Sequence, residues 1–145
     1  HGPAHMYRAL LEASAFGVRW IIDLLEDGGV PVKKFVATGG LPHHNPLLIR
    51  IYADVLGRSV TIHPSRQGPA LGAAILGVLA AGKQASGFGS AGAAMKAMAK
   101  PDPKIKGRQP IVVKPDRKAK KPYDAAYQRY REVAELINEH RVGVH

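Results

Sequence analysis

The stretch "VATGGLPHHNPLLIRIYADVLGRSV", Val36 to Val60, decides how the rest of the chain is read. A short apolar run, Lys34 to Thr38 (KFVAT), has the character of a buried strand. It ends on two adjacent glycines, Gly39 and Gly40, followed by Leu41, Pro42, His43 and His44. Asn45 is then placed to cap a helix that has Pro46 at its first position and Gly57 just past its last, predicting a helix over Pro46–Leu56. Val60 to His63 (VTIH) is a second strand. Strand, helix and strand within about 30 residues make a βαβ unit, in which a right-handed crossover joins parallel strands.

Working outward, Met6, Ala9, Leu10, Ala13, Phe16, Gly17, Trp20, Ile21, Leu24 and Leu25 recur at three- and four-residue spacing. They predict an amphipathic helix over His5–Asp27 that ends at Gly28-Gly29, with Pro31 forbidding its continuation. On the other side, Ala70 to Ala81 is an alanine- and glycine-rich helix suited to close packing. A basic, proline-rich excursion follows at about residues 83–121, with a short helix at Ala91–Ala99 inside it. A closing helix at about residues 122–141 is expected to dock Tyr127 and Tyr130, with Val133, Ala134 and Ile137 on the same face. The fold class is therefore α/β, a βαβ core with packed helices, in one compact unit over residues 1–145. Two strands cannot form a stable sheet alone. "PIVVK" (Pro110–Lys114) is a poor candidate for a central strand, so the rest of the sheet is expected outside this chain.

Composition excludes several functions. With 46% hydrophobic residues the chain can build a core, and without cysteine it has no disulfide, thiolate metal site or cysteine nucleophile. The longest apolar stretches, such as Leu71 to Ala81, fall short of the ~20 residues of a membrane span, and the start lacks the pattern of a secretory signal. A cytoplasmic protein is expected. The net charge of +10 invites a nucleic-acid reading, but ten Lys/Arg against two Asp put +8 of it between Lys96 and Lys121. That segment has no aromatic residue for base stacking and reads as a solvated linker. Contact with an anionic partner through Lys118, Lys120 and Lys121 is the alternative, and would weaken with salt.

Gly87-Phe88-Gly89-Ser90-Ala91-Gly92 fits G-x-G-x-x-G literally, but a helix precedes it and no acidic residue follows in a βαβ unit, so a connector is expected. His43-His44 has no third ligand at a metal-binding spacing. None of the serines sits in a nucleophile elbow. Gly39-Gly40 is different, because open α/β sheets bind ligands outside the carboxyl ends of their strands. Glycine there supplies a positive φ or lets a flat ligand approach bare backbone, and spacing leaves both open. The helix N-terminus at Asn45–Leu48 favours an anionic or polar ligand.

"HMYRALLEASAFG", "VATGGLPHHNPLLIRIYADVLGRSV", "SRQGPALGAAILGVLAAG" and "YDAAYQRYREV", in that order, resemble the C-terminal domain of the FGGY family of carbohydrate kinases, most closely its ribulokinases. The resemblance implies an actin-like ATPase (ribonuclease H-like) fold and ATP-dependent phosphorylation of a ketopentose such as ribulose. It implies that Gly39, Gly40 and Leu41 line the adenine and ribose, with His44 and Asn45 near the base. The sequence departs from the family at His43, His44 and Arg66. Sugar, phosphates and Mg²⁺ are expected mainly outside this chain, which on this reading supplies no catalytic residue and is inactive alone; Asp23, Asp27 and Asp54 lie on or beside helices. Nucleotide and sugar are the expected partners, with no membrane or nucleic acid and with self-association left open.

Overall fold

The computed structural model of the chain describes residues 2–99 and 109–142. The first helix, α1, runs over Pro3–Asp27, and strand β1 covers Phe35–Ala37. A one-turn helix α2 (Leu41–His44) leads into α3 (Pro46–Leu56) and strand β2 (Val60–Ile62). Helices α4 (Gly68–Ala80), α5 (Gly82–Ser86) and α6 (Ala91–Met98) follow. After residues 100–108, where four of the basic side chains of the expected excursion lie outside the described residues, come strand β3 (Ile111–Val113), a 3-10 turn at Arg117–Ala119 and the last helix α7 (Lys120–Val142).

The local signals fixed several borders. Pro46 opens α3 and Gly57 closes it with a φ of 61°, a conformation that glycine adopts without a Cβ clash. The βαβ reading holds in that β1 and β2 are neighbours with α3 between them in sequence. The expectation of a sheet completed only outside the chain is corrected, because the order among the described residues is β1-β2-β3. Ile111 and Val112 are each 54% exposed, so "PIVVK" supplies an edge strand, with Pro110 and Pro115 beyond its ends where no ladder N–H is required. Val60 and Ile62 of the middle strand are buried.

The chain also divides differently from the single compact unit expected. One unit comprises His1–Phe35, Leu47–Val60 and Val113–His145, and the other Val36–Pro46 and Thr61–Val112.

In the first unit, α1 packs against α7 over a core of Ala15, Phe16, Ile51, Val55, Tyr123 and Tyr127. The Phe16 ring lies 6.2, 6.0 and 5.6 Å from those of Tyr123, Tyr127 and Tyr130, and Trp20 meets Tyr130 edge-on at 6.3 Å. Aromatic pairs at such separations add ~0.5–1.5 kcal/mol each to the burial of their area. Arg19 is a hub: it pairs with Asp124 at 2.8 Å, donates to the Val55 carbonyl at 3.1 Å and lies over the Tyr127 ring at 4.3 Å. The Tyr127 hydroxyl donates to Asp23 at 2.7 Å, and burial followed by that carboxylate pushes its pKa up to about 12. Asp54 accepts the Asp116 N–H at 2.7 Å. Both aspartates thus have structural duties.

The apolar face assigned to α1 is corrected as well. Met6 and Leu10 are 67% and 70% exposed, and Ile21 and Leu24 are exposed too, because α7 and α3 cover the row through Leu11, Ala15 and Phe16 instead. On α7 the tyrosines dock as expected, whereas Val133 and Ile137 remain exposed.

In the second unit, α4 packs against α5 and α6, with Ile75 and Ala94 buried. The G-x-G-x-x-G match is a helix-to-helix connector: Gly87 ends α5 with a φ of 78°, and the Ser90 hydroxyl accepts the Ala93 N–H at 3.3 Å to cap α6. No single helix among the described residues is long and apolar enough to cross a membrane.

Candidate functional site

The loop that leaves β1 lies wholly in the second unit. Gly39 has a φ of 88°, the left-handed region, and a Cβ placed on it would meet nothing within 4 Å. Its glycine is explained by the turn. Gly40 is not explained in that way. Its φ of −75° and ψ of −39° are ordinary right-handed helical angles, and a Cβ there would meet only the His44 Cδ2 at 3.8 Å, a normal van der Waals contact. Any small residue would fold here, so what glycine adds at this position is bare backbone.

From Gly40 the chain turns at once into α2. The Gly40 carbonyl accepts the N–H groups of His43 at 3.0 Å and His44 at 3.3 Å, and the Asn45 N–H closes the turn on the Leu41 carbonyl at 3.0 Å. The expected loop is therefore a single helical turn. Pro42 is its buried anchor, while Leu41, 62% exposed, and His44 face outward beside Gly40. The structure thus brings Gly39, Gly40, Leu41 and His44 together, and Asn45 stands at the end of the same turn rather than only before α3. Gly68, the first residue of α4, completes the surroundings: its Cβ position lies 3.5 Å from the Gly39 nitrogen and from the Thr38 Cβ.

Two histidines support this turn: His43, weighed in the sequence only as half of a metal-site pair, and His63, read only as the end of a strand. The His43 Nε2 lies 2.9 Å from the His63 carbonyl, and the His63 N–H donates to the Ala37 carbonyl at 2.9 Å. The His63 ring accepts the Ser65 N–H at Nδ1, 3.1 Å away, and places Nε2 3.3 Å from the Ala99 carbonyl. A carbonyl can only accept and a backbone N–H can only donate, so these partners assign the proton to Nε2 on both rings. The only signal available in the sequence was the presence of the rings themselves. Among the described residues no three His, Asp or Glu side chains converge on a position for a metal ion.

The C-terminal domain family of the FGGY carbohydrate kinases matches residues 1–81. A ribulokinase of Geobacillus thermodenitrificans is 52% identical over 88 residues, 61% of this chain and 16% of that protein. A ribulokinase of Shouchella clausii is 43% identical over 125 residues, 86% of this chain and 21% of that protein. Among solved structures, a xylulose kinase from Rhodospirillum rubrum superposes with a TM-score of 0.69 at 27% identity, covering 97% of this chain and 26% of that one. The chain therefore spans about a fifth of the length of these relatives. A small sheet with packed helices and a double-glycine turn after its first strand is, with these likenesses, part of an actin-like ATPase domain. The chain belongs to the FGGY family of carbohydrate kinases, within the family's C-terminal domain.

Proposed function

We propose that this chain holds the adenosine of ATP in a carbohydrate kinase that phosphorylates a ketopentose such as ribulose. The observation that carries the reading is Gly40, a glycine that neither backbone angles nor packing require. Leu41 offers an exposed apolar side chain beside it for a base or ribose to cover, and His44 and Asn45 offer polar atoms at the end of the turn. The relatives named ribulokinase and the xylulose kinase neighbour support a ketopentose as the acceptor, with ribulose favoured by the higher identities.

The contribution of these residues is to bind and orient. Phosphoryl transfer depends on placing the γ-phosphate in line with the attacking hydroxyl and on stabilising its charge. An adenosine pocket fixes the far end of the nucleotide, which removes rotational freedom from the phosphates. A divalent cation finds no ligand set among the described residues, so no step is assigned to one on this chain. Asp23 and Asp54 are occupied by Tyr127 and Asp116, and neither is given the role of catalytic base.

Titrating the chain with ADP while following its backbone amide resonances tests the reading. Shifts centred on Gly39, Gly40 and Asn45 are expected. Shifts confined to α7 or to the lysines near Lys118 would overturn it in favour of a general anion site.

A further inference from the structure

One residue lies at the crossing of four segments of the second unit. The backbone of His63 joins the end of β1 through Ala37 and receives the ring of His43 on its carbonyl, while its own ring joins Ser65 and the C-terminal end of α6 at Ala99. Each of these bonds has one possible donor, and together they place a proton on Nε2 of both rings and leave the His63 Nδ1 to accept.

We propose that His43 and His63 are positioning residues for the nucleotide. Resting on the adenosine reading above, the inference is that the His43 ring, docked on the His63 carbonyl, holds α2 in the orientation that keeps the Gly40 backbone open. His43 itself is turned away from the exposed side of the loop, since its Nε2 is spent on the carbonyl. The adjacent histidines therefore have opposite duties: His44 stands beside Gly40 on the binding side, and His43 ties the turn to the sheet end behind it. Through the His63 ring the same tie reaches Ser65 and the residue that closes α6. A chain of this kind transmits disorder in either direction: releasing His43 frees a four-residue helix that is too short to persist by itself.

Glutamine tests this, because its Nε2 amide can donate at about the reach of the histidine Nε2, whereas leucine fills the space without donating. ADP is titrated into the 145-residue chain and into H43Q and H43L, following the Gly39 and Gly40 amides, and long-range proton–nitrogen spectra read the tautomer of each ring. Both rings are expected as the Nε2–H tautomer, H43Q within about twofold of the parent affinity, and H43L weaker by roughly threefold to tenfold. H43L should also shift the Gly39 and Gly40 amides before any nucleotide is added, with those of α7 unmoved. If H43L does not fold, H43N, whose amide is too short to reach the carbonyl, replaces it. An Nδ1–H tautomer on either ring, parental affinity in H43L, or equal losses in H43Q and H43L would overturn the proposal. Should the parent chain itself not bind ADP, the autonomous adenosine site fails, and the tautomers and nucleotide-free shifts still decide whether His43 holds the turn.

Discussion

The two units hold themselves together by different means. The first is stabilised by side chains: stacked aromatic rings, the Arg19 hub and an ion pair in which Arg58 grips Glu26 at 2.7 Å while also donating to the Val32 carbonyl. The second relies on backbone and small residues, with glycines at its turns, alanine-rich helices and hydrogen bonds in which at least one partner is main chain. A unit packed by large side chains is the one most damaged by truncating them. A unit built on close backbone leaves peptide groups uncovered at its surface, which is what a ligand without charge at its base can use.

A cavity should damage the first unit more than any other single change. Phe16→Ala removes the ring that three tyrosines touch and is expected to cost about 3–5 kcal/mol, read by urea unfolding with Trp20 fluorescence. A loss below 1 kcal/mol would mean that the aromatic cluster is not what holds this unit.

Alkali gives the next effect. The Tyr127 hydroxyl ionises at about 12 in the folded chain against an ordinary 10.0, so its contribution is whole below pH 10 and is lost as pH rises toward 12. Unfolding followed across that window should show the first unit weakening, and Tyr127→Phe should flatten the part of the slope that Asp23 and burial create.

In the second unit, Gly39→Ala places a side chain at a φ of 88° and is expected to cost about 1–2 kcal/mol, read by amide exchange around α2. Gly40→Ala sharpens the contrast, since the fold should accept the methyl while ADP affinity falls about tenfold, or ~1.4 kcal/mol. If the two alanine variants behaved alike, both glycines would be turn residues and the adenosine reading would lose its main support.

Glu26→Gln should give the smallest change, and salt should erase most of it. The hydrogen bond from Arg58 holds the Glu26 carboxyl below its ordinary 4.5, so the ion pair contributes above that pH and is lost as pH falls through the lowered value. Acid unfolding of the wild type and the variant should converge there.

What could be read from the sequence follows from the range of the interactions involved. The borders of α3 were legible because Pro46 and Gly57 act on their own backbone. "PIVVK" is legible as unfit for a central strand, and β3 is an exposed edge, but three aliphatic residues between prolines say nothing of which strand they join. The helical form of Leu41–His44 was hidden, since Leu-Pro-His-His has no helical pattern and the His43 ring reaches a carbonyl 20 positions away. The hub at Arg19 is invisible in the sequence because its partners, Val55 and Asp124, come from distant parts of the chain. At the site, spacing singled out the glycine pair, but only the backbone angles separate Gly39, which turns the chain, from Gly40, which is bare without local need.

The long-range ties between α1 and α7 also set an order of events during synthesis. Arg8 bonds Tyr123 across 115 positions, and Asp23 bonds Tyr127 across 104. At roughly 5–20 residues per second, a ribosome delivers α7 on the order of 5–20 s after α1. For that interval Phe16 and Trp20 lack the tyrosines of α7, and the first helix emerges as a sticky segment awaiting its full cover. Contacts so far apart in the chain also slow the search that forms them. Synthesis of this chain is therefore most exposed to aggregation while the second unit is being made, and a chaperone that shields α1 through that interval would raise its yield.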